Sequence, residues 1–473
     1  MFNHLPVYPE TQRSPVPWAW ALPSGWRVER GKALFTKVDR PTRADDGVVT
    51  CFRDGVVTLR SRRRTTGFTE SLKEIGYQGV RKGDLVIHAM DAFAGAAGVS
   101  DSDGKSTPVY SACVPRASAN PHYFAAVVRE MARTSWILAL SKGIRERSTD
   151  FRFEMFGTQL LPVPPVEEQA AIVKYLAHAN ARIDKAVAAK RRLIALLRES
   201  RVATIDALVL GREQVERAAS SAPWLESVPA GWEWRRCRTL TSFVTSGSRG
   251  WAEYYAESGP MFLQSGNLGR QLDLKLAAVQ RLDLPPSATE GLRTRVHPSD
   301  ILVCITGALT GNVALVPDDW DEEAYVNQHV ALVRPRQGVV DPAFLGYAMK
   351  SLSSQTQFRG SEYGGTKQGL GLDEVKNLDV LLPSVLDQQV IVAEIRAKTC
   401  RIDATIARTE HEIDILTEFR ARLVADVVTG QVDVRGIAAS LPDIDQSASW
   451  GDFDSADALE PADLDEKMEA SED

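Results

Sequence analysis

Apolar side chains recur through residues 182–211 at Ile183, Val187, Ile194, Leu197, Ile205 and Leu208. Their steps of 4, 7, 3, 8 and 3 residues keep them on one stripe of a 3.6-residue helix. The pattern then returns. Displaced by 219 residues, the same places hold Ile402, Ile406, Ile413, Leu416, Val424 and Val427. Each copy ends in glycine, Gly211 and Gly430, as a helix C-terminus does where it needs positive φ. The repeat predicts two helices of roughly 43 Å, at 1.5 Å per residue. Matched apolar stripes are buried against each other most simply as an antiparallel pair.

The duplication continues outside the helices. Leu22-Pro23-Ser24-Gly25-Trp26 is answered by Val228-Pro229-Ala230-Gly231-Trp232, each a turn before a Trp that opens a globular unit. Gly83-Asp84-Leu85-Val86-Ile87 reads as a turn entering a buried strand, and Ser299-Asp300-Ile301-Leu302-Val303 as its counterpart. Small residues follow both: Asp91-Ala92-Phe93-Ala94-Gly95, and Thr306-Gly307-Ala308-Leu309-Thr310-Gly311. Asn120-Pro121 and Asp341-Pro342 place a capping side chain before a proline and so predict helix starts. Leu161-Pro162-Val163-Pro164-Pro165-Val166-Glu167-Glu168-Gln169 and Leu381-Leu382-Pro383-Ser384-Val385-Leu386-Asp387-Gln388-Gln389 close the units. In both, prolines stop a strand and acidic residues start a helix, where its dipole favours them.

The expected plan is a Pro- and Trp-rich arm (1–21), a globular unit (22–163), a long helix (164–211), a linker (212–227), a second unit (228–382), a second long helix (383–436) and a tail (437–473). The fold class is α+β. Two mixed α/β domains are separated by a pair of long antiparallel helices, with an internal pseudo-two-fold repeat.

With 473 residues the chain has room for two to four domains. No apolar run approaches the roughly 18 residues of a membrane span. Met1–Arg13 carries no basic-then-apolar signal sequence. Five scattered cysteines without a CxxC pair argue against a zinc site or a disulfide scaffold and fit a reducing cytoplasm. A net charge of −6 argues at first against nucleic acid. Residues 438–473, however, hold 12 Asp or Glu and one Lys, so the rest carries 55 Lys and Arg against 50 Asp and Glu. The body is mildly basic. The acidic tail is expected to be disordered, serving solubility or competing with DNA for the basic face.

Taken in order, these segments resemble the DNA-specificity (S) subunit of type I restriction–modification systems. The resemblance covers about residues 22–436. It is carried by Pro164-Pro165-Val166-Glu167-Glu168-Gln169 with Ile172-Val173 behind it, by Arg182-Ile183-Asp184, and by the helix end Val428-Thr429-Gly430. Thr306-Gly307-Ala308-Leu309-Thr310-Gly311-Asn312-Val313 matches the family's strand–Gly turn–strand. Ser141-Lys142-Gly143-Ile144-Arg145 and Gly364-Gly365-Thr366-Lys367-Gln368 match the region before the closing prolines. The first unit departs from the pattern at its Gly turn and at Ser100-Asp101-Ser102-Asp103-Gly104.

The resemblance implies two target-recognition domains, each reading half of a bipartite double-stranded DNA target, and two conserved helices acting as a ruler between them. It implies a non-catalytic subunit, with no cofactor in this chain, serving DNA modification and phage defence. The implied partners are two adenine-N6 methyltransferase subunits and restriction/translocase subunits, which would use S-adenosylmethionine, ATP and Mg. Docking residues are expected near Glu168, Gln169, Asp387 and Gln388.

Candidate DNA contacts are basic or amide groups in loops. Arg62, Arg63 and Arg64, with Arg60, form the densest basic cluster. Lys142 and Arg145, with Arg147, occupy a Gly-containing loop; Lys367 and Gln368 hold the corresponding place in the second unit, and Arg249 stands between Gly247 and Gly250. Cations on phosphates would supply affinity and groove contacts the sequence reading.

Rival readings put catalysis in this chain or a fused partner, as in a related restriction–methylation enzyme, or make it a scaffold without DNA. Asn120-Pro121-His122-Tyr123 resembles an adenine-N6 methyltransferase motif, but its third residue differs and a helix cap explains it. Asp373-Glu374-Val375-Lys376 is like a nuclease carboxylate–lysine cluster and also suits a helix start. No GxGxxG or GxxxxGK[ST] loop is present, and the seven histidines lack metal-ligand spacing.

Overall fold

The computed structural model describes residues 5–63, 74–116, 118–140, 150–220, 225–247, 249–285, 292–361 and 369–443. The chain divides into two compact units, Met1–Arg191 with His411–Asp473, and Arg192–Glu410.

The first unit is built on an antiparallel sheet of β1 (Phe35–Lys37), β2 (Leu85–His88), β3 (Ala97–Val99) and β4 (Tyr110–Pro115), in the order β1-β4-β2-β3. Alternate residues of a strand face opposite sides of the sheet. Accordingly Leu85 and Ile87 join a core with helix α1 (Pro121–Arg133), while Val86 joins a second core with Val49, Cys51 and Val57. Both faces are covered, which is why the strand reads as a continuous apolar run. Asn120 caps α1, accepting a 3.0 Å hydrogen bond from the His122 amide, as its sequence predicts. Beyond α1, the closing strand Leu160–Val163 leads into helix α2 (Val166–Val209).

The second unit repeats this with β5 (Thr241–Ser246), β6 (Ile301–Cys304), β7 (Val313–Leu315) and β8 (Val330–Pro335), in the order β5-β8-β6-β7. Ile301 and Val303 face one core, Leu302 and Cys304 the other. Helix α3 (Pro342–Lys350) is capped by Asp341, which accepts from the Phe344 amide at 2.9 Å. The strand Asp379–Leu382 leads into helix α4 (Val385–Val428).

α2 and α4 have 44 residues each, about 66 Å at 1.5 Å per residue, so the 43 Å expectation was short. The acidic start and the striped segment are one uninterrupted helix. Within the first unit Asp184 pairs with Arg420 and Lys190 with Glu412. Within the second, Arg198 pairs with Glu410 and Arg201 with Asp403. In each unit one helix's numbers rise as the other's fall, so the pairing is antiparallel. Asp184–Arg420 and Asp403–Arg201 are the same bridge moved by the 219-residue repeat. Of the stripe residues, Ile183, Val187, Ile194, Ile205, Leu208, Ile406 and Val427 are buried. Leu197, Ile402, Ile413, Leu416 and Val424 are half-buried.

Both long helices end in the same hydrogen-bonded motif. The Arg212 amide donates to the Ala207 carbonyl at 2.8 Å, and the Gln431 amide to Asp426 at 2.7 Å. Gly211 and Gly430 take φ of 57° and 68° there. A Cβ on Gly211 would lie 2.4 Å from Pro229, and one on Gly430 2.3 Å from Pro23. The two turn–Trp motifs therefore sit directly on the two helix caps.

Two expectations need correction. The arm is not apart from the fold. Thr11–Arg13 pairs with Ala21–Pro23, and Tyr8, Val16, Ala19 and Leu22 are buried in the first unit's core. One aromatic and three aliphatic side chains do this without any periodicity. The tail expected from residue 437 begins instead with helix α5 (Arg435–Ser440), which buries Ala438. Asp443 then pairs with Lys174 at 2.7 Å. The rest of the tail lies outside the described residues.

Candidate nucleic-acid interface

In the second unit the turn from β6 to β7 takes Gly307 and Gly311 through φ of 93° and 84°. Its tip, Gly307 to Leu309, is exposed. Its foot is clamped by polar side chains. Gln355 Nε2 donates to the Gly311 carbonyl at 2.8 Å and to Met349 at 3.0 Å. Lys350 Nζ donates to Asn312 Oδ1 at 3.0 Å, and Asn312 Nδ2 to the Leu268 carbonyl at 2.9 Å. Burial pushes the Lys350 ammonium down to about 8; nearby Arg201 adds to this and Asp273 opposes it. The φ of 84° favours glycine at position 311, and a Cβ there would also push against the end of the Gln355 side chain, whose Oε1 would lie 2.7 Å away.

The first unit builds the same hairpin from a different sequence. Ala92–Ala94 forms one tight turn, Gly95 follows at φ of 93°, and Ile87 pairs with Ala97. Under this sheet the ninth residue of α1, Arg129, stands where α3 has Lys350. Burial lowers its pKa from the ordinary arginine value, and Asp54 works against that shift. Each unit thus holds one half-buried cation at the same place on its helix. Nothing in the chain's pattern announces this, because a lone cation in an amphipathic helix usually faces water.

Asp84 and Asp300 also have a repeated role that sequence reasoning missed. Each accepts from the amide three residues back, Arg81 or His297, at 2.8 Å, and each pairs with an arginine, Arg40 or Arg334. They fix the entry to β2 and β6.

The residues chosen from sequence fare unevenly. Arg62 reaches Ser102 Oγ at 3.0 Å and pairs with Asp101 at 3.5 Å, with its side chain 59% exposed. Arg63 is only 19% exposed, pairs with Asp54 and stacks 4.5 Å from the Phe52 ring centroid, so it holds the fold rather than presenting a free charge. Arg249 is exposed. Arg64, Lys142, Arg145, Lys367 and Gln368 lie outside the described residues.

The expected docking residues are mostly internal. Glu168 is 5% exposed and accepts from Tyr8 and, at 3.0 Å, from Trp26 Nε1. Gln169 is fully buried: its Oε1 accepts from the Asn120 amide at 2.8 Å and its Nε2 donates to the Pro164 carbonyl at 2.9 Å. Gln388 repeats this with Asp341 at 2.7 Å and Pro383 at 2.9 Å. These three tie a unit to its long helix and offer no surface to a partner. Asp387 is exposed and accepts from Ser384 Oγ at 2.7 Å.

Of the rival catalytic motifs, Asp373-Glu374-Val375-Lys376 lies in the helix Leu372–Asn377, where Lys376 pairs with Asp373 at 3.2 Å. Among the described residues no group of three or more His, Cys, Asp or Glu is placed to hold a metal ion. No helix there is long and apolar enough to cross a membrane.

No protein-family profile matches the chain. A 295-residue stretch is 23% identical to the type I restriction enzyme EcoBI specificity subunit of Escherichia coli, spanning 60% of this chain and 60% of that protein. The chain is thus similar over part of its length to a type I restriction specificity subunit. A structure solved in work on complex assembly and conformational transition of the type I R-M system superposes with a TM-score of 0.62. Its identity is 16%, over 87% of this chain and 99% of that one. The HsdS subunit from Thermoanaerobacter tengcongensis, also 16% identical, covers 87% of this chain and 98% of its own at a TM-score of 0.44. The fold is thus that of a type I R-M protein, in agreement with the resemblance drawn from the sequence.

Proposed function

We propose that the chain is the DNA-specificity subunit of a type I restriction–modification complex. Each unit reads one half of a bipartite target, and α2 with α4 sets the unread spacer between the halves. One turn of B-DNA rises about 34 Å, and a 44-residue helix about 66 Å. The chain itself is non-catalytic. It directs methyltransferase subunits that use S-adenosylmethionine and restriction/translocase subunits that use ATP and Mg.

The observation that carries this reading is the duplication itself. Sheet order, Gly turn, half-buried cation, helix start and helix cap recur in both units, while the exposed residues of the turns do not. A protein that reads two dissimilar half-sites needs a constant frame and variable contacts. The test is methylome sequencing of cells with and without the gene. The expected result is a split, asymmetric methylated motif that disappears on deletion. A contiguous motif, or one that survives deletion, overturns the reading.

A further inference from the structure

Where β6 ends and β8 begins, the second unit places three polar side chains together. The Ile305 amide donates to the His329 carbonyl at 2.9 Å, which closes the corner. Thr306 Oγ1 is hydrogen-bonded to His329 Nδ1, and Gln328 Nε2 lies 3.1 Å from His329 Nε2. The His329 amide is held by Asn327 Oδ1 at 3.1 Å. An amide nitrogen only donates, so His329 Nε2 accepts and the ring proton sits on Nδ1, facing the Thr306 oxygen. Gln328 Oε1 and its second N–H then have no protein partner among the described residues. Gln328 is half-buried, and His329 beside it is exposed.

We infer that Gln328 is a specificity-determining residue that reads an adenine in the second half-site, with His329 and Thr306 as its positioning residues; the inference rests on the DNA-recognition reading above. A carboxamide with one acceptor and one donor free matches adenine N6 and N7 in the major groove. The imidazole takes up the other N–H and fixes the amide's orientation before DNA arrives. The surroundings suit a duplex. The Gly307 tip next to Thr306 has open space around it, so a backbone can come close. Exposed cations lie in the two segments that bond to the foot of the turn. Arg270 follows Gly269, whose carbonyl is 3.4 Å from Asn312 Nδ2, and Arg359 lies one helical turn beyond the clamp residue Gln355.

The first unit has a different chemistry at the same corner. The Ala89 amide donates to the Val109 carbonyl at 3.0 Å, as Ile305 does to His329. The side chains at the matching places are Met90, Pro108 and Val109, none of which carries a hydrogen-bonding amide or ring. The two half-sites are therefore read differently at this position.

The test is selection of the full chain from a library of randomised duplexes, comparing wild type with Gln328→Ala and Gln328→Arg. Gln328→Ala should flatten the preference at one base pair of one half-site, by about 10- to 100-fold, and leave the other half unchanged. Gln328→Arg should move the preference at that position from adenine to guanine, which a folding defect does not produce. His329→Ala should weaken the same single position, and His329→Gln should restore part of it. If every position keeps its preference in the Gln328 variants while wild type still selects a split motif, the assignment of Gln328 fails and the recognition reading stands. If wild type selects no motif, both fall.

Discussion

Replacing Gln388 by leucine separates a structural role for this residue from a docking role. Its side chain is fully buried and spans 2.7 Å to the Asp341 amide and 2.9 Å to the Pro383 carbonyl. Leucine fills a similar volume but leaves both groups without a partner. An orphaned buried polar group costs about 1–3 kcal/mol. Asp341 is half-exposed and water can partly replace the glutamine there, whereas Pro383 is buried. The expected loss is therefore about 2–4 kcal/mol in the second unit. Hydrogen exchange followed by mass spectrometry reads this locally. Amides of α3 and the first turns of α4 should exchange roughly 30- to 1000-fold faster, with the first unit unaffected. Gln169→Leu should give the mirror result in α1 and α2. If Gln388→Leu leaves exchange unchanged but abolishes assembly with partner subunits, the reasoning is refuted and the side chain serves docking after all.

Gly430→Ala should destabilise the first unit by more than about 1 kcal/mol, since φ of 68° is strained for alanine and its Cβ meets Pro23; thermal unfolding measures it. Asp403→Ala should cost about 1–3 kcal/mol, because the Arg201 side chain it pairs with at 2.9 Å is only 10% exposed. The charge-swapped double variant, Asp403→Arg with Arg201→Asp, should recover part of that in a mutant cycle. Lys350 is pushed down to about 8 in the folded unit, below the roughly 10.4 of a free lysine. Across that window the unfolded chain holds a proton that the folded one has lost, so stability rises with pH, by about 2–3 kcal/mol. Urea unfolding at pH 7.5 and 10.5 should show the rise, and Lys350→Met should flatten it.

The sequence was most informative where the repeat could be checked against itself. Two stripes 219 residues apart, each ended by glycine, identified the helix pair because chance rarely reproduces both features in register. The strands at Leu85 and Ile301 were legible from their apolar runs and the turns before them. Glu168, Gln169 and Gln388 misled. Polar residues in a first helical turn ordinarily face solvent, and nothing local reveals that Trp26 or the start of a distant helix closes over them. The corner of Thr306, Gln328 and His329 was invisible for a related reason: it joins residues 22 and 23 positions apart, brought together only by the pairing of β6 with β8. Arg63 was chosen for its charge, but the aromatic ring and carboxylate that occupy it lie about ten residues upstream in another strand turn.

The repeat is closed differently in its two halves. In the second unit the cap of α2 leads by chain continuity into the paired strands Arg217–Ala219 and Ser227–Pro229, and Trp232 then lies over Gly211. In the first unit the cap of α4 meets the paired strands Thr11–Arg13 and Ala21–Pro23, and Trp26 lies over Gly430, without a peptide bond joining cap to strands. What replaces that bond is a set of contacts. The Asp433 amide donates to the Pro6 carbonyl at 2.8 Å, Gln431 Nε2 to Ala21 at 3.1 Å, and Arg435 lies 5.3 Å from the Tyr8 ring centroid. Tyr8 in turn joins Trp26 on Glu168, in the first turn of α2. The residues that looked like a loose arm are therefore what completes the first unit. Their removal should loosen the Gly430 cap and the start of α2 while leaving the covalently closed second unit intact.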